Sequence, residues 1–187
     1  RLAWTTREPI GVVVAVSAFN HPLNLIVHQV APAVAVGCPV IVKPAADTPL
    51  SCFEFIAILH EAGLEPDWAQ AVQPPRDVSE RMVSDPRVAF FSFIGSAGVG
   101  WSLRTKLAPG TRCALEHGGV APVIVDPSAN LDLAVPSIVK GGFYHSGQVC
   151  VSVQRVFAHA SIVGELAERM AAAARALKVG NAIHEDT

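Results

Sequence analysis

Apolar, β-branched runs alternate with amphipathic segments along the whole chain, and this alternation constrains the fold more than any other feature of the sequence. Residues 10–16 form an almost wholly apolar run, which is typical of a strand buried on both faces of a parallel sheet. The following segment places apolar side chains at helical spacing, at Leu23, Ile26, Val27, Val30, Ala31 and Val34. Repetition of this pair predicts βαβ units, and therefore an α/β protein.

The same patterns predict the remaining elements. Further strands are expected over residues 39–43, 68–72, 88–93, 112–115, 122–125 and 151–158. Further helices are expected between Pro49 and Gly63 and over residues 77–84, 96–107, 131–143 and 163–177. Thr48 is the expected cap of the second helix, because Pro49 suits the first helical position. The pattern of residues changes beyond Glu116, where two consecutive glycines follow. This change predicts a domain boundary near residue 117, which separates residues 1–117 from residues 118–187.

Composition excludes several classes of protein. With 187 residues, 51% hydrophobic and only 16% charged, the chain can bury a substantial core and does not resemble a disordered protein. The net charge is −2 and the basic residues are scattered singly, so no nucleic-acid or membrane-surface partner is expected. The most apolar stretch, residues 30–42, is interrupted by prolines and a glycine and is shorter than the ~20 residues needed to cross a bilayer.

The cysteines and histidines give no sign of a metal site. The four cysteines, Cys38, Cys52, Cys113 and Cys150, show neither CxxC pairs nor regular spacing, so neither a disulfide framework nor a zinc site is expected. A reducing compartment, the cytoplasm, is the expected location. His21, His28, His117 and His145 share no ligand spacing and are interpreted as ordinary polar residues.

A glycine-rich turn separates the strand at 88–93 from the next helix. Gly95, Ser96, Gly98 and Gly100 lie in this turn, where backbone N–H groups and the positive end of a helix can hold a phosphate. The spacing is GxxGxG rather than GxGxxG, and glycines between a strand and a helix also serve close packing. The turn therefore indicates either a nucleotide site or a packing requirement.

Four other residues have both a chemical and an ordinary interpretation. Cys150 lies among small polar residues, which suits a reactive thiolate, although most cysteines are small buried hydrophobes. Glu116 ends a predicted strand beside two glycines and can activate a water there, or can simply be solvated. Asn20 fits a helix cap as well as a site residue. Lys43, after a buried strand, can meet a phosphate or ribose, or can point into water.

Five motifs taken together resemble the NAD(P)-dependent aldehyde dehydrogenase superfamily. In chain order they are Ala18-Phe19-Asn20-His21-Pro22-Leu23, Val42-Lys43-Pro44 with Thr48-Pro49-Leu50, Phe93-Ile94-Gly95-Ser96 with Val99-Gly100, Leu115-Glu116-His117-Gly118-Gly119 with Pro122, and Ser146-Gly147-Gln148-Val149-Cys150. The resemblance covers essentially the whole chain. It implies a Rossmann-like parallel sheet of the aldehyde dehydrogenase type, followed by the start of a second, cysteine-bearing α/β domain.

The resemblance also implies a reaction. Cys150 would attack an aldehyde carbonyl to form a thiohemiacetal, while Asn20 and the backbone N–H of Cys150 hold the oxyanion. Hydride transfer to NAD or NADP would leave a thioester, and Glu116 would activate the water that hydrolyses it to a carboxylic acid.

The cofactor residues follow from the same resemblance. Lys43 would contact the adenosine ribose, and the turn bearing Gly95, Ser96 and Gly100 would contact the pyrophosphate. Four positions depart from the family pattern: Phe19 replaces tryptophan, Ala46 replaces a ribose-binding glutamate, Val120 replaces lysine, and Gln73-Pro74-Pro75 replaces a glycine-bearing loop. The change at Ala46 leaves the preference between NAD and NADP open.

Comparison with the family pattern predicts that the chain is an internal fragment of a longer member. The family's nicotinamide-ribose motif and its oligomerisation hairpin have no counterpart in the sequence. We therefore expect the full-length protein to be a homo-oligomeric enzyme, a dimer or tetramer, and these residues by themselves to be inactive. Two other functions stay open: a non-catalytic nucleotide-binding module, and a dehydrogenase that passes its thioester to coenzyme A.

Overall fold

The computed structural model describes residues 2–185 and residue 187, and it contains seven strands and six α-helices in the described part of the chain. The strands are β1 (Val12–Val16), β2 (Val40–Lys43), β3 (Ala69–Ala71), β4 (Val88–Ile94), β5 (Arg112–Glu116), β6 (Val123–Val125) and β7 (Val156–Ala158). The helices are α1 (Asn24–Ala35), α2 (Leu50–Glu61), α3 (Arg76–Ser84), α4 (Ala97–Arg104), α5 (Leu131–Phe143) and α6 (Val163–Arg175). Contacts divide the chain into two compact units, Arg1–His117 and Gly118–Thr187.

The first unit is built on a five-stranded sheet in the order β3-β2-β1-β4-β5. Every neighbouring pair is parallel. This order places β1 at the centre and reverses the direction of progression after β3, as in the doubly wound nucleotide-binding folds. The predicted Rossmann-like α/β class is confirmed.

Both faces of this sheet are covered by helices, because successive side chains of a strand point in opposite directions. On one face Val13 and Ala15 of β1 pack with residues of α1 and α2, including Ile26 and Ile56. On the other face Val14 packs with residues of α3, β4 and α4. The nearly continuous apolar run of β1 is thereby explained by burial on two sides.

The second unit contains a two-stranded parallel sheet, in which β6 pairs with β7. Its core is formed by Val125 together with Val135, Ile138 and Val139 of α5 and Leu166 of α6. No described helix is both long enough and apolar enough to pass through a membrane.

Two sequence-based expectations about local structure are wrong. Residues 151–155, predicted to begin the last strand, form no strand, and β7 starts only at Val156. Thr48 does not cap α2: Pro49 occupies the cap position, with no side-chain cap bond. The Thr48 hydroxyl instead donates to the carbonyl oxygen of Phe19, at 3.3 Å, and so joins the loop after β2 to the loop after β1.

Candidate active site

The predicted site residues of the first unit lie at or just beyond the carboxyl ends of its strands. Asn20 follows β1, Lys43 ends β2, Gly95 and Ser96 follow β4, and Glu116 ends β5. In open α/β sheets this edge, near the reversal in strand order, is where ligands bind.

Asn20 is half-buried in the loop between β1 and α1. The cap position of α1 is Leu23, three residues after Asn20, and no side-chain cap bond occurs there. The backbone before Asn20 is held at two points: the Ser17 N–H donates to Lys43 O at 3.0 Å, and Phe19 O accepts the Thr48 hydroxyl. Asn20 is therefore held on a short segment tied to the neighbouring strand and its loop.

Lys43 is half-buried at the end of β2. Its Nζ donates to the Pro44 carbonyl oxygen at 3.2 Å. Desolvation by burial lowers the pKa of Lys43 from its usual value, since burial disfavours the charged form. The Lys43 ammonium is thus held close to the end of the sheet, where it can donate to a hydroxyl or an anionic group of a ligand.

The turn after β4 is joined to the end of β5. The Gly95 N–H donates to the carbonyl oxygen of Glu116, at 3.0 Å, and Ile94 is the register partner of Glu116. The side chain of Glu116 is exposed. Within the first unit, the backbone of the predicted water-activating residue is thus adjacent to the predicted phosphate-binding turn.

Gly95 and Gly100 both lie against the ring of Phe93. A Cβ on Gly95 would lie 2.8 Å from Phe93 Cζ, and one on Gly100 would lie 2.9 Å from the Phe93 ring and still closer to His117 Nε2. No side chain therefore fits at either glycine, so close packing is one requirement that both of them meet. Ser96, at the cap position of α4, is exposed and makes no side-chain cap bond.

Cys150 is exposed on a turn of the second unit, whereas Cys38 and Cys52 are buried and Cys113 is partly buried. Burial raises the pKa of the Cys52 thiol to about 11. The three other cysteines belong to the first unit, as do Asn20 and Glu116. No cluster of three or more potential metal ligands occurs among the described residues.

Three further residues have structural roles that the sequence did not reveal: Gln29, Ser152 and His117. Gln29, 5% exposed in α1, shares its Nε2 hydrogens among Ser92 Oγ (2.9 Å), Ser92 O (3.2 Å) and Val16 O (3.3 Å), which joins β1 to β4. A glutamine on the apolar face of a predicted helix is the signal that could have indicated it. Ser152 is buried beside Cys150.

His117 is packed more closely than an ordinary polar residue would be. Its ring makes edge contacts with Phe93 and Trp101, at centroid distances of 6.0 and 5.6 Å. Its buried Nε2 has no hydrogen-bond partner among the residues that the structure describes.

Comparisons with known proteins agree with this arrangement. The sequence model of the aldehyde dehydrogenase family matches residues 1–187. A lactaldehyde dehydrogenase from Methanocaldococcus jannaschii is 38% identical over 192 residues, which cover 100% of this chain and 41% of that protein.

Two solved structures share the fold over nearly the whole chain. An aldehyde dehydrogenase of Mycobacterium tuberculosis complexed with NAD+ superposes with a TM-score of 0.93 at 34% identity, covering 97% of this chain and 38% of that one. The glyceraldehyde-3-phosphate dehydrogenase GapN of Methanocaldococcus jannaschii complexed with NADP gives 0.92 at 36% identity, covering 97% and 41%. The chain thus spans about two fifths of the length of these relatives. Because the family model matches all 187 residues and the sheet order and the turn after β4 agree with it, this chain belongs to the aldehyde dehydrogenase family.

Proposed function

We propose that the full-length protein oxidises an aldehyde to a carboxylic acid, with NAD or NADP as the hydride acceptor and Cys150 as the nucleophile. The observation that carries the proposal is the exposure of Cys150 on a turn, in contrast to the burial of Cys38 and Cys52. A nucleophilic thiol must be accessible, and a cysteine retained only for packing need not be.

The cofactor residues would be Ser96, Gly95 and Lys43. The residues present fit an anionic dinucleotide: the exposed Ser96 hydroxyl stands at the N-terminus of α4, and the partly desolvated Lys43 cation ends β2, which β1 separates from β4 in the same sheet. Backbone N–H groups at a helix start favour a pyrophosphate. We assign Gly100 to the support of this turn, since it is buried against Phe93.

The reaction would begin when the Cys150 thiolate bonds to the aldehyde carbon and the carbonyl oxygen becomes an oxyanion. The Asn20 amide and the backbone N–H of Cys150 would donate to that oxygen, and one such donor is worth roughly 10²–10³ in rate. When bound, the nicotinamide cofactor accepts the hydride that converts the thiohemiacetal into a thioester. Glu116 would then take a proton from water, whose oxygen displaces the Cys150 thiolate and releases the acid.

The presence of Glu116 favours hydrolysis over transfer to coenzyme A, because hydrolysis needs a base for the attacking water. The exposed position of its side chain at the end of β5 suits that role. We expect a homo-oligomer located in the cytoplasm, and we expect the residues described above to be inactive without the rest of a full-length family member.

The test is NAD(P)H formation from a panel of aldehydes by the full-length protein. Cys150→Ala should abolish turnover, and the matched control Cys113→Ala should retain it. Glu116→Gln should still release one NAD(P)H per site in the first turnover, with slow turnover afterwards. Nucleotide binding without turnover of any aldehyde would contradict the proposal and support a binding module, and an absolute requirement for coenzyme A would support the acyl-transferring alternative.

A further inference from the structure

The backbone just before Cys150 adopts an unusual conformation. His145 (φ 54°, ψ 42°), Ser146 (φ 54°, ψ 26°) and Gly147 (φ 73°) are three consecutive residues in the left-handed region. Residues other than glycine rarely adopt this region, and a run of them costs free energy that surrounding contacts must offset. Something in the second unit must therefore hold this segment in place.

Ser152 makes the contacts that close the turn. It is only 3% exposed, and its hydroxyl donates to the carbonyl oxygen of Gly147 at 3.0 Å. Its backbone N–H donates to Val149 O at 2.9 Å. Two bonds from one residue thus bridge the chain across Cys150, one to the end of the left-handed run and one to the residue before the cysteine.

Neighbouring bonds anchor both sides of this closure. The Gln148 N–H donates to His145 O at 3.0 Å, and the Val153 N–H donates to Gly141 O of α5 at 3.1 Å. The segment containing Ser152 is therefore attached to a helix of the core, and Ser152 transmits that attachment to the exposed turn.

We propose that Ser152 is a positioning residue for the Cys150 thiol, an inference that rests on the proposed function of Cys150 as nucleophile. A cysteine side chain has one torsion, χ1, before its sulfur, so the backbone of the turn fixes the Cys150 N–H and Cβ and limits Sγ to the staggered positions about χ1. The Ser152 hydroxyl is committed to Gly147 and acts through the backbone, not on the substrate. Reaction rates fall steeply when reacting atoms are displaced by about 1 Å.

The experiment compares Ser152→Ala, Ser152→Thr and the control Ser137→Ala in the full-length protein. Ser137 lies in the same unit, and its hydroxyl likewise donates to a backbone carbonyl, that of Leu133 at 2.9 Å, but it is exposed on α5. Ser152→Ala should lower the rate of the first NAD(P)H turnover by about 10- to 100-fold while the nucleotide KM stays unchanged. Ser152→Thr, which keeps the hydroxyl, should restore most of the rate, and Ser137→Ala should have no effect.

The outcomes separate this inference from the proposed function. Full turnover by Cys150→Ala would overturn both. An inactive Cys150→Ala together with a parental first-turnover rate in Ser152→Ala would overturn only the role of Ser152, as would a loss confined to the nucleotide KM. If Ser152→Ala does not fold, Gly147→Ala replaces it: this variant keeps the hydroxyl but disfavours the left-handed acceptor residue. A parental first-turnover rate in Gly147→Ala would overturn the inference.

Discussion

The two sheets of the described residues are both parallel, yet the burial of their faces differs. In the first unit, side chains of β1 enter one core on each face, and helices of the same unit cover both. In the second unit, Ile124 and Phe157 are register partners on β6 and β7, and they are 83% and 56% exposed. Burial on two faces stabilises the first sheet, whereas the unit that carries Cys150 rests on a single core. The exposed turn that carries Cys150 is closed by local hydrogen bonds, among them those of Ser152 to Gly147 and Val149.

The largest expected effect comes from removing a buried side chain from the core between the sheet of the first unit and helices α3 and α4. Phe91 is fully buried on β4, so Phe91→Ala should lower the free energy of unfolding by about 3–5 kcal/mol. Phe157→Ala removes the same ring from the open face of β7 and should change it by less than ~0.5 kcal/mol. Urea unfolding of the two variants measures the difference. Equal losses would show that the face bearing Phe157 is covered in the full-length protein.

The next effect concerns thiol reactivity in the two units. Burial raises the pKa of Cys52 to about 11, so at pH 8 only about one such thiol in 10³ is ionised. Iodoacetamide should therefore modify the exposed Cys150 at least ~100-fold faster than Cys52 in the native full-length protein. Peptide mapping by mass spectrometry over a time course gives both rates. Labelling of Cys52 should increase as the pH is raised toward 11, and comparable rates at pH 8 would contradict the contrast.

A smaller effect tests how closely the first turn of α4 is packed. Gly100→Ala should destabilise the protein by about 1–3 kcal/mol, because its Cβ would overlap the Phe93 and His117 rings. Gly98 lies in the same helix with nothing near its Cβ position, so Gly98→Ala should stabilise it by up to ~1 kcal/mol through helix propensity. Thermal unfolding distinguishes the two. A destabilised Gly98→Ala variant would show that this side of the turn is also occupied.

The smallest effect lies at the surface, where each unit has one aspartate held in its charged form by a local turn. The Arg87 side chain donates to Asp85 and lowers its pKa from 3.8 to about 2, and the Ser128 hydroxyl lowers that of Asp126. A carboxyl group whose pKa is lower in the folded state stabilises the fold at pH values above its unfolded-state pKa. This stabilisation is lost as the pH falls through the folded-state pKa. Asp85→Asn should therefore be less stable than the parent at pH 7, and the difference should shrink as the pH falls from about 4 toward 2.

Acid titrations followed by circular dichroism would measure this loss for Asp85→Asn and Asp126→Asn. Asp126 is exposed and Asp85 is partly exposed, and the partners of both are close in sequence, so the expected shifts in the unfolding midpoint are small. A large shift for either variant would indicate a partner outside the contacts described here.

Elements with strong local signals were predictable from the sequence. The helix over residues 131–143 has the predicted bounds, because Asn130 caps it through a bond to the Asp132 N–H at 2.9 Å and the apolar spacing is regular. The order of strands and helices along the chain follows from the same kind of pattern. These features depend on neighbours in sequence, which is what a single sequence records.

The errors arise where long-range bonds decide the outcome. The valines at 151 and 153 alternate like a strand, but the residues around them close the Cys150 turn and bond to α5. Thr48 has the composition of a cap, yet its hydroxyl bonds to Phe19, 29 residues away. His117 gives no signal of the ring contacts that surround it. The roles of Cys150, Glu116, Asn20, Lys43 and Ser96 stay predictions, since they depend on ligands and on chemistry.

The bond from Thr48 to the carbonyl oxygen of Phe19 has a practical consequence for protein engineering. It couples the loop containing Ala46, where a nucleotide preference would be altered, to the backbone immediately before Asn20. If the proposed function holds, libraries that vary this loop to exchange one dinucleotide for the other would also disturb the backbone that carries the Asn20 amide. Selection on binding alone would then enrich variants with impaired catalysis, so screening for product formation is the safer strategy.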